Sequence, residues 1–82
     1  MRYTVIWSPD ALDKLADLWT KSGDRDAISR SADAIERMLR DDPDQKGEDF
    51  YGDRLLVEFP LAVGFRVRVE DRIADIFDVW SQ

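Results

Sequence analysis

The chain begins with a short run of β-branched and aromatic residues, YTVIW at positions 3–7, which predicts a first strand. Side chains alternate along a strand, so Tyr3, Val5 and Trp7 should share one face, with Thr4 and Ile6 on the other. Polar and turn-forming residues at Ser8-Pro9-Asp10 end the run. The pattern then changes from a period of two residues to the period of a helix.

The segment SPDALDKLADLWTKSG carries the signals of a first helix. Ser8 is a good N-cap, and Pro9 suits the first helical position because its missing N–H would have no partner there. Gly23 is predicted to end this helix. The apolar residues that recur at helical spacing, and that should therefore face the core, are Leu12, Leu15, Ala16 and Trp19.

Asp24 is predicted to open a second helix, DRDAISRSADAIERMLRDD. Its apolar stripe consists of Ile28, Ala32, Ile35 and Leu39. The link between the two helical patterns is only a residue or two long, which predicts an antiparallel helical hairpin. Turn formers and charged residues fill positions 43–53, PDQKGEDFYGD, and predict a loop.

Three further apolar runs predict strands: RLLVEF, which stops at Pro60, then LAVGFRVRV, then IADIFDVW. Strict alternation in the middle run puts Val63, Phe65, Val67 and Val69 on the core face and points Arg66 and Arg68 away from it. The short links between these runs favour antiparallel pairing.

The pattern leaves the register of the last two strands open. A two-residue turn at Asp71-Arg72 would set Arg68 opposite Asp75 and Arg66 opposite Phe77, whereas a three-residue turn would shift each pair by one residue. The element order is β-α-α-β-β-β. It predicts one α+β domain over residues 1–82, an antiparallel sheet with a two-helix hairpin packed on one face.

Composition narrows the possible functions. The net charge is −6, which argues against direct binding of nucleic acid, and the absence of Cys and His removes the usual nucleophile, general base and metal ligands. Asp41, Asp42 and Asp44 match no calcium loop and are expected to be solvated. We therefore predict no cofactor and no metal. No apolar run is long enough for a signal peptide or a membrane span, so a cytoplasmic location is expected.

Few residues are candidates for chemistry. Arg54, Arg66 and Arg68 could form an anion-binding patch on the sheet, although solvated charge is the more common fate of arginine. Tyr51, in a glycine-flanked loop, could be a surface contact or a lid over the edge of the core. In a ribonuclease without His, the general base would have to be Tyr51 or a carboxylate. Trp7, Trp19 and Trp80 are expected to pack in the core or at its edge.

The order of elements and the motifs YTVIWSPDALDKLADLW, MLRDDP and GDRLLVEFPLAVGFRVRVEDRIADIFDVW resemble the RelE/ParE superfamily of type II toxin–antitoxin toxins. The resemblance covers nearly the whole chain. It implies a bacterial toxin, a role in plasmid stabilisation, and neutralisation by an antitoxin whose C-terminal segment wraps the toxin. RelE-like members cleave messenger RNA on the ribosome with Lys and Arg on the sheet, and ParE-like members poison DNA gyrase.

The last strand, IFDVWSQ, has no basic residue and no Tyr or His after it, so the chain is expected to be nearer to ParE than to RelE. Three hypotheses follow: a toxin that acts by binding a gyrase-type target, a ribosome-dependent endoribonuclease using Arg54, Arg66 and Arg68, and a non-toxic interaction module or homodimer of the same fold. A nuclease needs these arginines clustered on one concave face. A binder needs an exposed apolar or aromatic groove.

Overall fold

A computed structural model describes residues 2–82 and contains two helices and five strands. The elements in chain order are β1 (Thr4–Trp7), α1 (Pro9–Lys21), α2 (Arg25–Leu39), a short 3-10 turn (Pro43–Gln45), β2 (Glu48–Phe50), β3 (Asp53–Glu58), β4 (Leu61–Arg68) and β5 (Ile73–Ser81). Both helices pack on the same face of one sheet, which confirms the predicted α+β class.

Both helices begin where their capping residues predict. The Ser8 hydroxyl accepts a hydrogen bond from the Ala11 N–H at 3.1 Å, and the Asp24 carboxylate accepts one from the Ala27 N–H at 3.1 Å. Each cap satisfies an N–H that has no partner within its own helix. Lys21 is the last residue of α1, two residues before Gly23. The link to α2 is therefore short, and the helices form the expected hairpin.

The sheet has the strand order β1-β5-β4-β3-β2. The pairs β2–β3, β3–β4 and β4–β5 are antiparallel, whereas β1 runs parallel to β5. The sheet is therefore mixed, and the prediction of a wholly antiparallel sheet is wrong. The parallel pair arises because the chain passes through both helices and returns along β2 to β4 before β5 reaches β1. Such a long-range pairing leaves no trace in the local pattern of either strand.

The predicted loop at 43–53 contains a strand that the sequence analysis missed. β2 pairs with β3 as a hairpin whose two turn residues, Tyr51 and Gly52, have φ values of 50° and 87°. Positive φ at both positions is the geometry of a type I′ turn, which matches the twist of a two-stranded ribbon. The strand was missed because it is three residues long, EDF, and two of them are acidic.

The β4–β5 connection differs from both registers that were considered. Arg68 pairs with Ile73, so the turn contains four residues, 69–72, and Arg66 lies opposite Asp75. Val69 belongs to this turn and is exposed, which corrects its predicted place on the core face. A register shift at Gly64/Phe65 leaves Phe77 as an extra residue in β5.

The core lies between the sheet and the two helices. Its fully buried members include Ile35 and Leu39 of α2, Val63 and Phe65 of β4, and Ile76 of β5. The predicted stripe of α2 is confirmed, because Ile28, Ile35 and Leu39 are buried and Ala32 packs against them. The buried stripe of α1 is different from the prediction: it consists of Ala11, Leu15 and Leu18.

Candidate protein-binding site

Arg66 and Arg68 point to the side of the sheet that carries no helix, as predicted, and we call this side the open face. The Arg66 guanidinium donates two hydrogen bonds to the Asp53 carboxylate, from Nε to Oδ1 at 2.7 Å and from Nη2 to Oδ2 at 3.3 Å. It also lies 4.7 Å above the centre of the Phe77 ring. The hydrogen bonds and charge of Asp53 raise the pKa of Arg66, which therefore keeps its positive charge and cannot act as a base.

Arg68 is paired as well. Its Nη2 lies 3.4 Å from an oxygen of Asp75, the residue directly opposite Arg66 on β5. Asp53, Arg66, Asp75 and Arg68 thus alternate in sign across three strands, and we call these four residues the Arg–Asp ladder. A phosphate approaching either arginine would meet a carboxylate already bound to it. The ladder is therefore a poor anion site.

Arg54 does not belong to this face. It lies directly opposite Phe65, whose ring is in the core, so its side chain leaves the sheet on the helix-covered side. Its guanidinium donates to the carbonyls of Lys46 and Gly47 at 2.7 and 3.1 Å. These bonds hold the segment that leads into β2. The three arginines predicted as one patch are therefore divided between the two faces of the sheet.

Tyr51, the fourth candidate residue, lies at the tip of the β2–β3 hairpin and is 94% exposed. Its ring meets the neighbouring Phe50 ring, edge to face, with 4.9 Å between the two centres. It does not cover the edge of the core, so the predicted alternative of a lid is wrong. The candidate catalytic residues consequently converge on no common point.

An apolar groove lies instead between α1 and α2, and we call it the helix groove. Its volume is about 610 Å³. Leu12 and Trp19, which were predicted to be core residues, line its α1 wall and are 50% and 42% exposed. Ile28 and Ala32 line the α2 wall, and Trp7 of β1 also borders it. Large apolar side chains that remain exposed next to one another are typical of binding surfaces.

Polar contacts fix the tryptophans of the helix groove. The Trp7 Nε1–H donates to Glu36 Oε1 at 2.8 Å, and the other oxygen of Glu36 accepts from Arg40 Nη2 at 3.1 Å. The Trp19 Nε1–H donates to the Ser29 hydroxyl at 3.1 Å, while the Arg25 guanidinium lies 4.7 Å from the Trp19 ring centre. A groove with rigid aromatic side chains loses little conformational entropy when a partner binds.

The charged groups around the helix groove include Arg25 on the Trp19 ring and Arg40 on Glu36, both outside its lining. Its lining contains two carboxylates, Asp33 and Glu36, and no lysine or arginine.

The helix groove could have been predicted from the sequence of α1. Helix α1 has apolar residues at 11, 12, 15, 16, 18 and 19, an arc wider than one buried stripe, so part of it must stay outside the core.

Within residues 2–82, no group of three or more carboxylates lies close enough together to hold a metal ion. Across the same residues, neither helix is long and apolar enough to cross a membrane. What the described part of the chain offers is a shaped apolar surface with acidic polar groups.

Comparison with known proteins agrees at the level of the fold. No family model matches the chain, and no curated protein matches it in sequence. Among solved structures, a chain of the toxin–antitoxin complex RelBE2 from Mycobacterium tuberculosis superposes with a TM-score of 0.79 at 16% identity, covering 100% of this chain and 93% of that one. The chain has the RelE/ParE toxin fold.

A second structure supports this assignment. A chain of the chromosomal ParDE toxin–antitoxin system from P. aeruginosa gives a TM-score of 0.72 at 16% identity, covering 98% of this chain and 96% of that chain. The RelE/ParE fold is thus matched from both branches of the superfamily. The overall shape does not distinguish between them, and any functional distinction must come from individual side chains.

Proposed function

We propose that this chain is the toxin-like component of a type II toxin–antitoxin system in the bacterial cytoplasm. It acts by binding a gyrase-type protein target rather than by cleaving messenger RNA, and an antitoxin protein neutralises it. The helix groove is the surface that holds the target. The observation that carries this proposal is the exposure of both Leu12 and Trp19 in one groove of about 610 Å³.

The side chains of the helix groove suit a protein partner. Tryptophan is enriched among the residues that contribute most to protein–protein binding. The walls are two antiparallel helices, so an amphipathic helix fits between them with its apolar side inwards. Asp33 would then meet lysine or arginine on the partner, and the net charge of −6 would speed the approach of a basic surface.

The arginines support binding over cleavage. Transition-state stabilisation in phosphate chemistry needs several cations aimed at one point. Here Arg54 lies on the opposite face from Arg66 and Arg68, and the latter two are engaged by Asp53 and Asp75. Asp53 and Asp75 also place negative charge beside both arginines, which disfavours the approach of RNA.

Induced expression of the chain in a bacterial host tests the proposal. We expect growth arrest with intact messenger RNA and altered plasmid supercoiling, and we expect Leu12→Asn to relieve the arrest. Leu12 is half-exposed, so this change should cost about 1–2 kcal/mol of folding stability, from lost apolar burial and lower helix propensity together. Val69→Asn is the matched control, because Val69 is 58% exposed in the β4–β5 turn, outside the groove.

The same assay distinguishes the other two hypotheses. Cleaved messenger RNA, together with relief of arrest by Arg66→Ala/Arg68→Ala, would establish the endoribonuclease in place of the binder. Arg54 is left intact in that variant because its loss would disturb the segment before β2. Unimpaired growth at confirmed soluble expression would favour the non-toxic interaction module. Arrest that both Leu12→Asn and Val69→Asn leave unchanged would remove the helix groove from the proposal.

A further inference from the structure

A small polar pocket lies where the C-terminal end of α2 meets the start of β1. We call it the arginine pocket, and its volume is about 450 Å³. Among residues 2–82, its lining consists of Arg2, Arg37, Arg40 and Asp41. The lining therefore carries three positive charges against one negative charge, on a chain whose net charge is −6. This local excess of positive charge requires an explanation.

The backbone holds the residues of the arginine pocket together. The Tyr3 N–H donates to the Arg40 carbonyl at 2.8 Å, and Arg2 forms an isolated antiparallel bridge with Asp41. Arg37 and Arg40 are three residues apart on α2, so they are neighbours on the surface of that helix. Two distant parts of the chain thus bring three guanidinium groups to one place.

Two of these guanidinium groups are unpaired. Within residues 2–82, those of Arg2 and Arg37 make no hydrogen bond, ion pair or ring contact, and both residues are exposed. Arg40 donates from Nη2 to Glu36 Oε2 at 3.1 Å, which leaves its other N–H groups for a ligand. The arginines of the Arg–Asp ladder, by contrast, are each held by a carboxylate.

The end of α2 explains only part of this cluster. The helix dipole stabilises cations in the last turn, which explains Arg37 and Arg40 taken singly. It does not explain Arg2, which lies outside the helix, and like charges at neighbouring positions repel one another. An anion bound among the three arginines would remove that repulsion. The dipole opposes the anion by only about half an elementary charge, less than three guanidinium groups supply.

We propose that the arginine pocket binds the phosphomonoester group of a small phosphorylated molecule. Such a group carries a charge of about −1.5 to −2 at pH 7. This charge matches the +2 that three arginines less one carboxylate leave in the lining. The forked N–H groups of Arg2 and Arg37 bind the phosphate oxygens in pairs, and Arg40 supplies a third positive charge beside them.

The size of the arginine pocket suits a ligand larger than phosphate alone. A volume of about 450 Å³ lies within the range of small-molecule sites, so the remainder of the molecule has room beside its phosphate group. The inference goes beyond the proposed function, since the lining of this pocket shares no residue with the lining of the helix groove.

A small molecule fits the arginine pocket better than a nucleic acid does. A nucleic-acid backbone carries a charge at every nucleotide and needs cations along its whole path. The chain that follows α2 is acidic instead, with Asp41, Asp42 and Asp44 in four positions. A single phosphate group can bind the arginines without extending over these carboxylates.

Titration with phosphate compounds, followed by ¹H–¹⁵N NMR, tests the inference. The probes are ribose 5-phosphate, adenosine 5′-monophosphate and inorganic phosphate, with adenosine as the compound that lacks a phosphate group. Sodium chloride keeps the ionic strength constant, so that general screening is the same throughout. We expect the two phosphomonoesters to shift the backbone amide signals of residues 37–41 until saturation, and adenosine to leave them unchanged.

Substitution of the unpaired arginines should weaken this binding. Arg2→Gln and Arg37→Gln should each lower the affinity for the phosphomonoesters about tenfold, the size expected for the loss of one charge-assisted contact. Arg37→Lys keeps the charge without the forked geometry, so it should weaken binding less, and it serves if loss of the charge disturbs the end of α2. Arg40 is left unchanged because it also holds Glu36, which accepts from Trp7.

Arg30→Gln is the matched control. Arg30 is likewise an exposed arginine of α2 without a pairing partner in residues 2–82, but it lies outside the lining of the arginine pocket. Its substitution removes the same charge from the same helix and should leave affinity nearly unchanged.

Several results would overturn the proposal. One is a set of shifts no larger than sodium chloride alone produces, and another is equal weakening by Arg30→Gln and Arg37→Gln. Tighter binding of inorganic phosphate than of both phosphomonoesters would assign the pocket to free phosphate. Tighter binding of single-stranded oligouridylate, lost in Arg37→Gln, would assign it to nucleic acid.

Discussion

The helix-covered face and the open face of the sheet are made by the same strands but stabilised differently. On the covered face, Val63, Phe65, Ile76 and Val79 are fully buried among side chains of α1 and α2. On the open face, the Arg–Asp ladder joins β3, β4 and β5 through ion pairs whose guanidinium groups are exposed. Burial of apolar area contributes far more free energy than solvated ion pairs do. Stability should therefore depend on one face and surface chemistry on the other.

The open face nevertheless contains one tightly packed contact. Phe77, the extra residue of β5, lies over Gly64 and under the Arg66 guanidinium. A Cβ atom built on Gly64 would be 2.9 Å from the Phe77 ring, closer than carbon atoms approach in proteins. Gly64 is needed because it leaves room for the neighbouring Phe77 ring. The backbone conformation does not require a glycine, since φ at Gly64 is not positive.

The largest expected effect is on the covered face. Ile35→Ala should lower the free energy of unfolding by about 2–5 kcal/mol, because Ile35 is fully buried and its loss leaves a cavity. Urea unfolding followed by circular dichroism measures the change. Val69→Ala, at an exposed turn position, should change stability by less than about 0.5 kcal/mol. A loss at Ile35 no larger than the loss at Val69 would show that the core does not lie between α2 and the sheet.

An intermediate effect is expected where Phe77 covers Gly64. Gly64→Ala should cost about 1–3 kcal/mol, since the added methyl group forces the ring or the strand to move. Gly23→Ala is the control, because a Cβ atom there would meet no atom within 4 Å. Adding Phe77→Leu to Gly64→Ala should recover part of the loss if the ring is the obstacle. No recovery would place the obstacle in the backbone.

The sequence predicted the covered face well because its signal is local. Alternation in β4 and the helical spacing of Ile28, Ile35 and Leu39 follow directly from the geometry of strands and helices, and both were confirmed. The parallel partner of β1, the short strand β2 and the four-residue β4–β5 turn were not predicted. Each depends on which distant strand lies alongside, and the periodicity of one segment does not contain that information.

The candidate site was harder to predict for a related reason. Arg54, Arg66 and Arg68 look equivalent in the sequence, but their faces depend on the β3–β4 register, which sets Arg54 opposite Phe65. Likewise, helix α1 has more apolar residues than one face can bury, and only packing against β5 decides that Leu15 goes inside and Leu12 stays outside. A composition of this kind predicts that a groove exists without fixing its position.

The smallest expected effect sharpens the comparison between the two faces. Arg66→Ala/Arg68→Ala should keep cooperative unfolding and lower the urea midpoint less than Gly64→Ala does, since both guanidinium groups are exposed to solvent. The fall in stability of the double variant should come mainly from repulsion between Asp53 and Asp75. About 1 M salt should therefore reduce this loss of stability. The same salt should leave the Ile35→Ala deficit nearly unchanged, because a cavity carries no charge. If the double variant lost as much stability as Ile35→Ala, or if its loss did not depend on salt, the open face would be part of the packed structure and not a solvated surface.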